Sequence, residues 1–236
     1  MLATNAVSNA QIDNFEKDVI STSEGNLTIH FFGHASLMFE FKGKNIYIDP
    51  WSKMADYSKL PKADMILITH QHQDHLDPKA IEDIKKEGTK FVVTKTVHDA
   101  MKMITEYGIE MSNGETKIID GLKIEAVPAY NTTEGRDKYH PKGRDNGYII
   151  TFGDKRVYIA GDTEDIPEMA TFKNIDIAFL PMNQPYTMTP EQVAKAAEMI
   201  HPKILYPYHY GETDVTKLEK LLAGDKSIDL RIRKLK

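Results

Sequence analysis

The chain has 236 residues, 41% of them hydrophobic and 28% charged, and carries a formal charge of -5 from 30 Lys and Arg against 35 Asp and Glu. That length suits one compact domain with a sizeable core, the acidic balance excludes a global basic field for nucleic acid or anionic lipid, and no apolar run approaches the roughly 20 residues of a membrane helix. With no Cys, disulfides, thiol catalysis and thiolate metal sites are excluded, so any zinc must be held by carboxylates and the nine His.

Residues 1–25 read as an unstructured start or a remnant export segment, and 26–236 as a single domain. Met1 to Ala10 is small and uncharged and ends Ser8-Asn9-Ala10, a small-x-small pattern that no charged or long apolar region precedes. A cytoplasmic location is expected, with a periplasmic one the alternative if residues 1–10 are the tail of a signal peptide. From Leu27 onward short apolar runs are punctuated by Gly, Pro, Asn and Asp, and residues 36–49 read as a hairpin turning at Gly43. Met65 to Ile68 is a continuous apolar run, expected of a strand covered on both faces. Asp77-Pro78 opens a helix to about Lys86, and Thr96 to Tyr107 has helical spacing before Gly108. Strands follow near 91–94, 116–128, 146–152 and 156–160. The last third alternates strand 175–180, helix 190–200, strand 203–207, helix 213–223 and strand 228–232.

The segment 39–49 echoes 150–162, each a hairpin that ends in an aspartate, Asp49 and Asp162. Two related halves would build a sandwich of two sheets with helices outside. The polar stretch 131–146 is the longest segment without a predicted element, and loops of that length in a compact domain are often functional.

Chemistry concentrates in Thr69-His70-Gln71-His72-Gln73-Asp74-His75, directly after the strand Met65 to Ile68. In an extended segment His70 and His72 project the same way and can share a metal, while a turn at Gln73 aims Asp74 and His75 at a second. Random placement would produce this pattern in about one chain in a thousand.

The run H-x-H-x-D-H at residues 70–75 resembles the signature of the metallo-β-lactamase superfamily. His34 in Gly33-His34-Ala35-Ser36, Asp49-Pro50-Trp51, Gly161-Asp162-Thr163 and His209 in Tyr208-His209-Tyr210 stand in family order. The Gly-His-Ala-Ser and Asp-Pro-Trp segments look like the branch that holds the ascorbate-6-phosphate lactonases and many metal-dependent hydrolases. The resemblance implies an α/β fold, a four-layer αββα sandwich of two β-sheets flanked by helices, with metals at one edge. It implies His70 and His72 on the first metal, Asp74, His75 and His209 on the second, and Asp162 bridging both. The family's third His for the first metal is missing where Tyr130-Asn131 stands, and His140 on the long loop is the candidate to replace it. His34, Asp49, Tyr130 and Tyr186 are candidates to neighbour the metals or contact substrate. His30, His98 and His201 have no supporting partners, and Leu230 to Lys236 reads as a solvated tail.

The expectation is therefore a dinuclear zinc hydrolase, with manganese the second choice of metal, in which a metal-bridging hydroxide attacks a small ester, lactone or related substrate and Asp74 moves the proton. Glu at position 72 marks the iron-binding relatives, and its absence here favours zinc. Lys142, Arg144 or Arg136 are candidates to hold an anionic part of the substrate. The alternatives are a metallo-phosphodiesterase and a metal-binding or sensing protein without turnover. A small molecule is the expected partner, with no nucleic acid and no membrane; the oligomeric state stays open.

Overall fold

The computed structural model describes residues 12–101 and 108–236. Its strands fall into two seven-stranded sheets that share one plan. The first holds, in spatial order, β1 (Glu16–Thr22), β2 (Gly25–Gly33), β3 (Ser36–Phe41), β4 (Lys44–Ile48), β5 (Met65–Leu67), β6 (Lys90–Val93) and β7 (Gly108–Glu110). The second holds β8 (Thr116–Ile119), β9 (Leu122–Ala129), β10 (Asp145–Phe152), β11 (Lys155–Ile159), β12 (Ile177–Pro181), β13 (Ile204–Tyr208) and β14 (Asp229–Leu230). In each sheet the first four strands pair antiparallel and the last four parallel. The hairpin echo is thus the visible part of a full structural repeat, with β3–β4 matched by β10–β11.

Alternation along the strands builds the layers. Leu27, Ile29 and Phe31 point into the core between the sheets, as do Met65 and Leu67, whereas Phe32, Met38, Tyr47, Ile66 and Ile68 face a second apolar cluster outside the first sheet. The helices α1 (Pro78–Ile84) and α2 (Lys95–Ala100) cover that outer face through Ile81, Ile84 and Val97. Beyond the second sheet, α3 (Pro190–Ile200) and α4 (Thr216–Leu222) pack Val193, Ala197, Leu218 and Leu222. The expected αββα sandwich is what forms.

Local chemistry sets the helix ends. Asp77 caps α1 by accepting from the backbone of Lys79 and Ala80, and Thr189 with Gln192 closes a capping box on α3. Helix α4 starts later than residue 213 because Asp214 accepts from the backbone and hydroxyl of Thr216, which makes a turn there instead. Helix α1 ends at Ile84, short of Lys86, since Lys85 is extended before Gly88. Of the expected helix 96–107, residues 95–100 are helical and Met101 leaves the helical region; residues 102–107 lie outside the described residues.

Two expectations about the termini need correction. Residues 16–22 are not part of an unstructured start but form edge strand β1, paired with β2 from Glu16 opposite Phe31 to Thr22 opposite Gly25. Its text, Glu-Lys-Asp-Val-Ile-Ser-Thr, is too polar to read as a strand because an edge strand leaves one side to water. Residues 1–11, and with them the export question, lie outside the described residues. The C-terminus is not a solvated tail either: Leu235 is fully buried in the main core, and Arg231 and Arg233 both engage Asp18 of β1.

Burial raises the pKa of Asp18, but hydrogen bonds from Tyr206, Arg233 and Arg231 outweigh it and hold the carboxyl below its usual range. A depressed folded-state pKa stabilises above the unfolded value of about 4, and that contribution is lost as pH falls through the folded one. Asp18→Asn should therefore cost about 2 kcal/mol at pH 7, with the gap to wild type closing as pH falls below about 4. Urea unfolding of both proteins across that range tests this, and a gap independent of pH would contradict it.

Candidate metal centre

The repeated topology brings strand ends from both halves to one edge of the sandwich. His34 follows β2, Asp49 follows β4, His70 to His75 follow β5, Asp162 follows β11 and His209 follows β13. His34, Asp49 and His209 all have positive φ, at 53, 43 and 47 degrees, a left-handed conformation that costs a non-glycine residue about 1–3 kcal/mol unless its surroundings hold it. Gly161 just before Asp162 has φ of 65 degrees, and a Cβ there would meet the carbonyl oxygen of Asn146 at 2.8 Å. Only glycine lets that crossing place Asp162 where it is.

Two groups of four side chains meet at this edge, and within each the potential ligand atoms lie within 4.8 Å of one another. One is His70, His72, His140 and Asp162; the other is His34, Asp74, His75 and His209. All seven ligand candidates of the sequence are brought together, and His34 joins the second group directly. In the first group His70 Nε2 faces His72 Nδ1 at 3.1 Å, and His140 Nε2 is 3.5 Å from Asp162 Oδ2. In the second, Asp74 Oδ2 lies 3.0 Å from His34 Nε2 and 3.5 Å from His209 Nε2. Asp162 stands between them: its Oδ1 is 3.5 Å from His75 Nε2 and its Oδ2 is 3.5 Å from His209 Nε2.

His140 reaches the first group because the long loop is tied down along its length. The fully buried Glu164 carboxylate accepts from the backbone of Thr132 at 2.8 Å and of Thr133 at 2.7 Å, and from the Thr132 hydroxyl at 3.0 Å. The backbone N–H of Asn131 donates to the His140 carbonyl at 2.9 Å, which brings the loop back on itself. Buried Asp145 then sits 3.0 Å from His140 Nδ1, and Arg144 donates to both of its oxygens. In the other half Asp49 does the same for His75: it lies 2.8 Å from His75 Nδ1 and also accepts from the backbone and hydroxyl of Thr69 at 2.8 and 2.7 Å. Each imidazole so held turns its other nitrogen toward the cluster.

The remaining candidates separate. Tyr186 lies at the mouth, its ring edge-on to Tyr139 at 5.0 Å, and both line a cavity of about 420 Å³ that Asp74 and Asp162 share. Tyr130 is not brought to the site; its hydroxyl is committed to Glu168 at 2.8 Å and accepts from Lys142. The cations proposed for substrate are likewise engaged, Lys142 with Glu168, Arg136 with Glu164 and Arg144 with Asp145. His30, His98 and His201 lie outside both groups. Sequence reasoning missed Asp145, Thr69 and Glu164. Asp145, next to Arg144 and five residues past His140, carried the one readable signal, a carboxylate close behind a candidate ligand.

A family model of the beta-lactamase superfamily domain matches residues 28–209. The chain belongs to the metallo-β-lactamase superfamily. It is 35% identical over 216 residues to a UPF0173 metal-dependent hydrolase of Thermococcus kodakarensis, covering 84% of this chain and 93% of that one. The crystal structure of a protein from Parabacteroides distasonis superposes with a TM-score of 0.90 at 56% identity, over 94% of this chain and 100% of the other. Igni18, a metallo hydrolase from Ignicoccus hospitalis, gives a TM-score of 0.75 at 27% identity over 89% and 95% of the two chains. Within this superfamily fold the two four-residue groups lie together at one edge of the sandwich, where the resemblance implies metals.

Electrostatics favours cation entry. Burial and the neighbouring His75 push the His70 pKa well down, leaving a neutral imidazole. Burial raises the Asp74 and Asp162 carboxyls, but facing imidazoles outweigh it and hold both well below the carboxylate range. Burial alone would lower His75, yet Asp162 and Asp49 on either side raise it well above an ordinary histidine. A cation entering the Asp74 group near neutral pH must therefore displace the His75 proton, so its affinity falls as pH falls, by about tenfold per unit for one proton. Zinc titration of the metal-free protein between pH 6 and 7.5 should show this with one proton released, and an affinity independent of pH would contradict it. Asp145→Ala should weaken zinc affinity of the His140 group by about 10–100-fold, measured by competition with a chelator; unchanged affinity would remove Asp145 from the site.

Proposed function

We propose that the chain is a dinuclear, zinc-preferring hydrolase of small esters or lactones. One observation carries this reading. Buried His75 Nε2, His140 Nε2, His209 Nε2 and Asp162 Oδ1 face one another with no hydrogen-bond partner, and orphaned buried polar atoms are costly unless something binds them. Two divalent cations fit the chemistry of this donor set, six of whose eight side chains are neutral-capable imidazoles and two of which are carboxylates that stay ionised. The imidazole-rich set, with His rather than Glu at position 72, supports zinc, with manganese second.

When bound, such cations supply an acidified water and a Lewis acid for the developing oxyanion. The chain's own groups do the rest. His70, His72 and His140 would hold one cation, Asp74, His75 and His209 the other, and Asp162 both. Asp49 and Asp145 keep the rings of His75 and His140 in one orientation. Asp74 is the one carboxylate of the two groups that lines two cavities, so it is placed to carry a proton to the leaving group, with His34 Nε2 at 3.0 Å fixing its Oδ2. Tyr139, Tyr186 and Asn183 line one of these cavities, of about 420 Å³, a size suited to a small molecule. His140 in the first group supports turnover over a binding protein with an incomplete site.

Elemental analysis should find near two zinc per chain in wild type and about one in His140→Ala, with ester or lactone hydrolysis falling at least about 100-fold in that variant and after chelation, and returning when zinc is restored. Hydrolysis that survives chelation, or His140→Ala with unchanged metal content and rate, would overturn the proposal. Phosphodiesters in the same panel decide between carbonyl and phosphoryl centres.

A further inference from the structure

His34 and His209 come from different sheets, after β2 and β13, and no strand pairing joins them. Their rings nevertheless stand 3.8 Å apart between centroids, both close to Asp74 Oδ2, and both residues are left-handed. The C-terminal strap, residues 231–236, links them. His209 donates its backbone N–H to the His34 carbonyl at 3.0 Å, His34 donates its own to the Lys236 carbonyl at 3.2 Å, and Tyr210 donates to the Leu235 carbonyl at 3.4 Å. The strap is itself anchored at both sheets. Leu235 is fully buried in the main core, Arg233 Nη2 donates to both oxygens of Asp18 at 2.9 Å, and Lys234 N–H donates to Glu16 at 2.8 Å. From the other side the Tyr210 hydroxyl donates to the Arg233 carbonyl at 2.7 Å.

We propose that this strap is the positioning element of the Asp74 group. It holds His34 and His209 in the left-handed conformation that aims both rings at Asp74, so cation affinity there depends on Leu235 and Arg233, neither of which is among the groups that would hold a cation. The His70, His72, His140 and Asp162 group rests on the end of β5, the Glu164-bound loop and the end of β11, and is not tied to the strap. Loosening the strap therefore weakens one cation site and spares the other. This inference rests on the dinuclear reading above.

The test compares wild type with Leu235→Ala, Arg233→Met, the conservative Leu235→Met, and Ile200→Ala, a core truncation on α3 that removes none of the strap's own contacts. In zinc titrations of metal-free protein, Leu235→Ala and Arg233→Met should weaken one of two binding events by about tenfold or more and leave the other in place. Leu235→Met should restore both, and Ile200→Ala should lose stability while keeping both. A readout without metal accompanies it: in the metal-free protein, hydrogen exchange at the His34 and His209 amides should speed up about tenfold in Leu235→Ala, while the Asn146 amide, bonded to the Thr69 carbonyl, stays protected. Equal loss at both sites, the same loss in Ile200→Ala, or unchanged exchange at His34 and His209 would overturn the proposal. If wild type takes up fewer than two cations, the dinuclear reading fails, and the amide exchange still decides the strap.

Discussion

The site depends on Asp162. Its carboxylate is almost wholly buried, and imidazoles from both halves of the sandwich close on it: His70 and His140 on one side, His75 and His209 on the other. A buried charge facing four rings without a hydrogen bond to any of them is not an arrangement that packing alone would favour. It becomes favourable when cations enter between the carboxylate and the rings, because the rings then act as ligands and the carboxylate spans two positive centres. The surrounding residues make sense as support for that demand.

The support is divided between the halves in a regular way. Asp49 behind His75 and Asp145 behind His140 each hold one ring nitrogen, so that the other faces inward. Glu164 ties the long loop that delivers His140, and the strap from the C-terminus ties His34 and His209. The strain of three left-handed residues at strand ends is balanced by these ties rather than relieved locally. Fold and site are thus coupled: the sandwich core supplies the rigidity that lets an edge of loops hold eight polar groups in register.

Most of the fold was legible because its strands are short apolar runs set off by turn residues, as in Met65 to Ile68, and its helices open on Asp77-Pro78 and Thr189-Pro190. The repeat was legible only at β3–β4 and β10–β11, where both texts are hairpins that run into an aspartate at the site, Asp49 and Asp162. Strand β1 was missed because an edge strand with Glu, Lys and Asp looks like a polar linker, and the C-terminal strap because its arginines read as solvated charge. Their partner, Asp18, is more than 200 residues away in the chain, and no local pattern announces so distant an ion pair. At the site, His70 to His75 stood out by spacing alone. His140 could be suspected only from the gap at Tyr130, while Tyr130 itself was misplaced because nothing in its neighbourhood showed that Glu168 would claim its hydroxyl.

The central claim is that this edge binds two cations about Asp162, and anomalous diffraction from a zinc-loaded crystal at the zinc absorption edge tests it most directly. The account predicts two peaks, one among His70, His72 and His140 and one among Asp74, His75 and His209, with Asp162 between them. A single peak, or none at this edge, would contradict it.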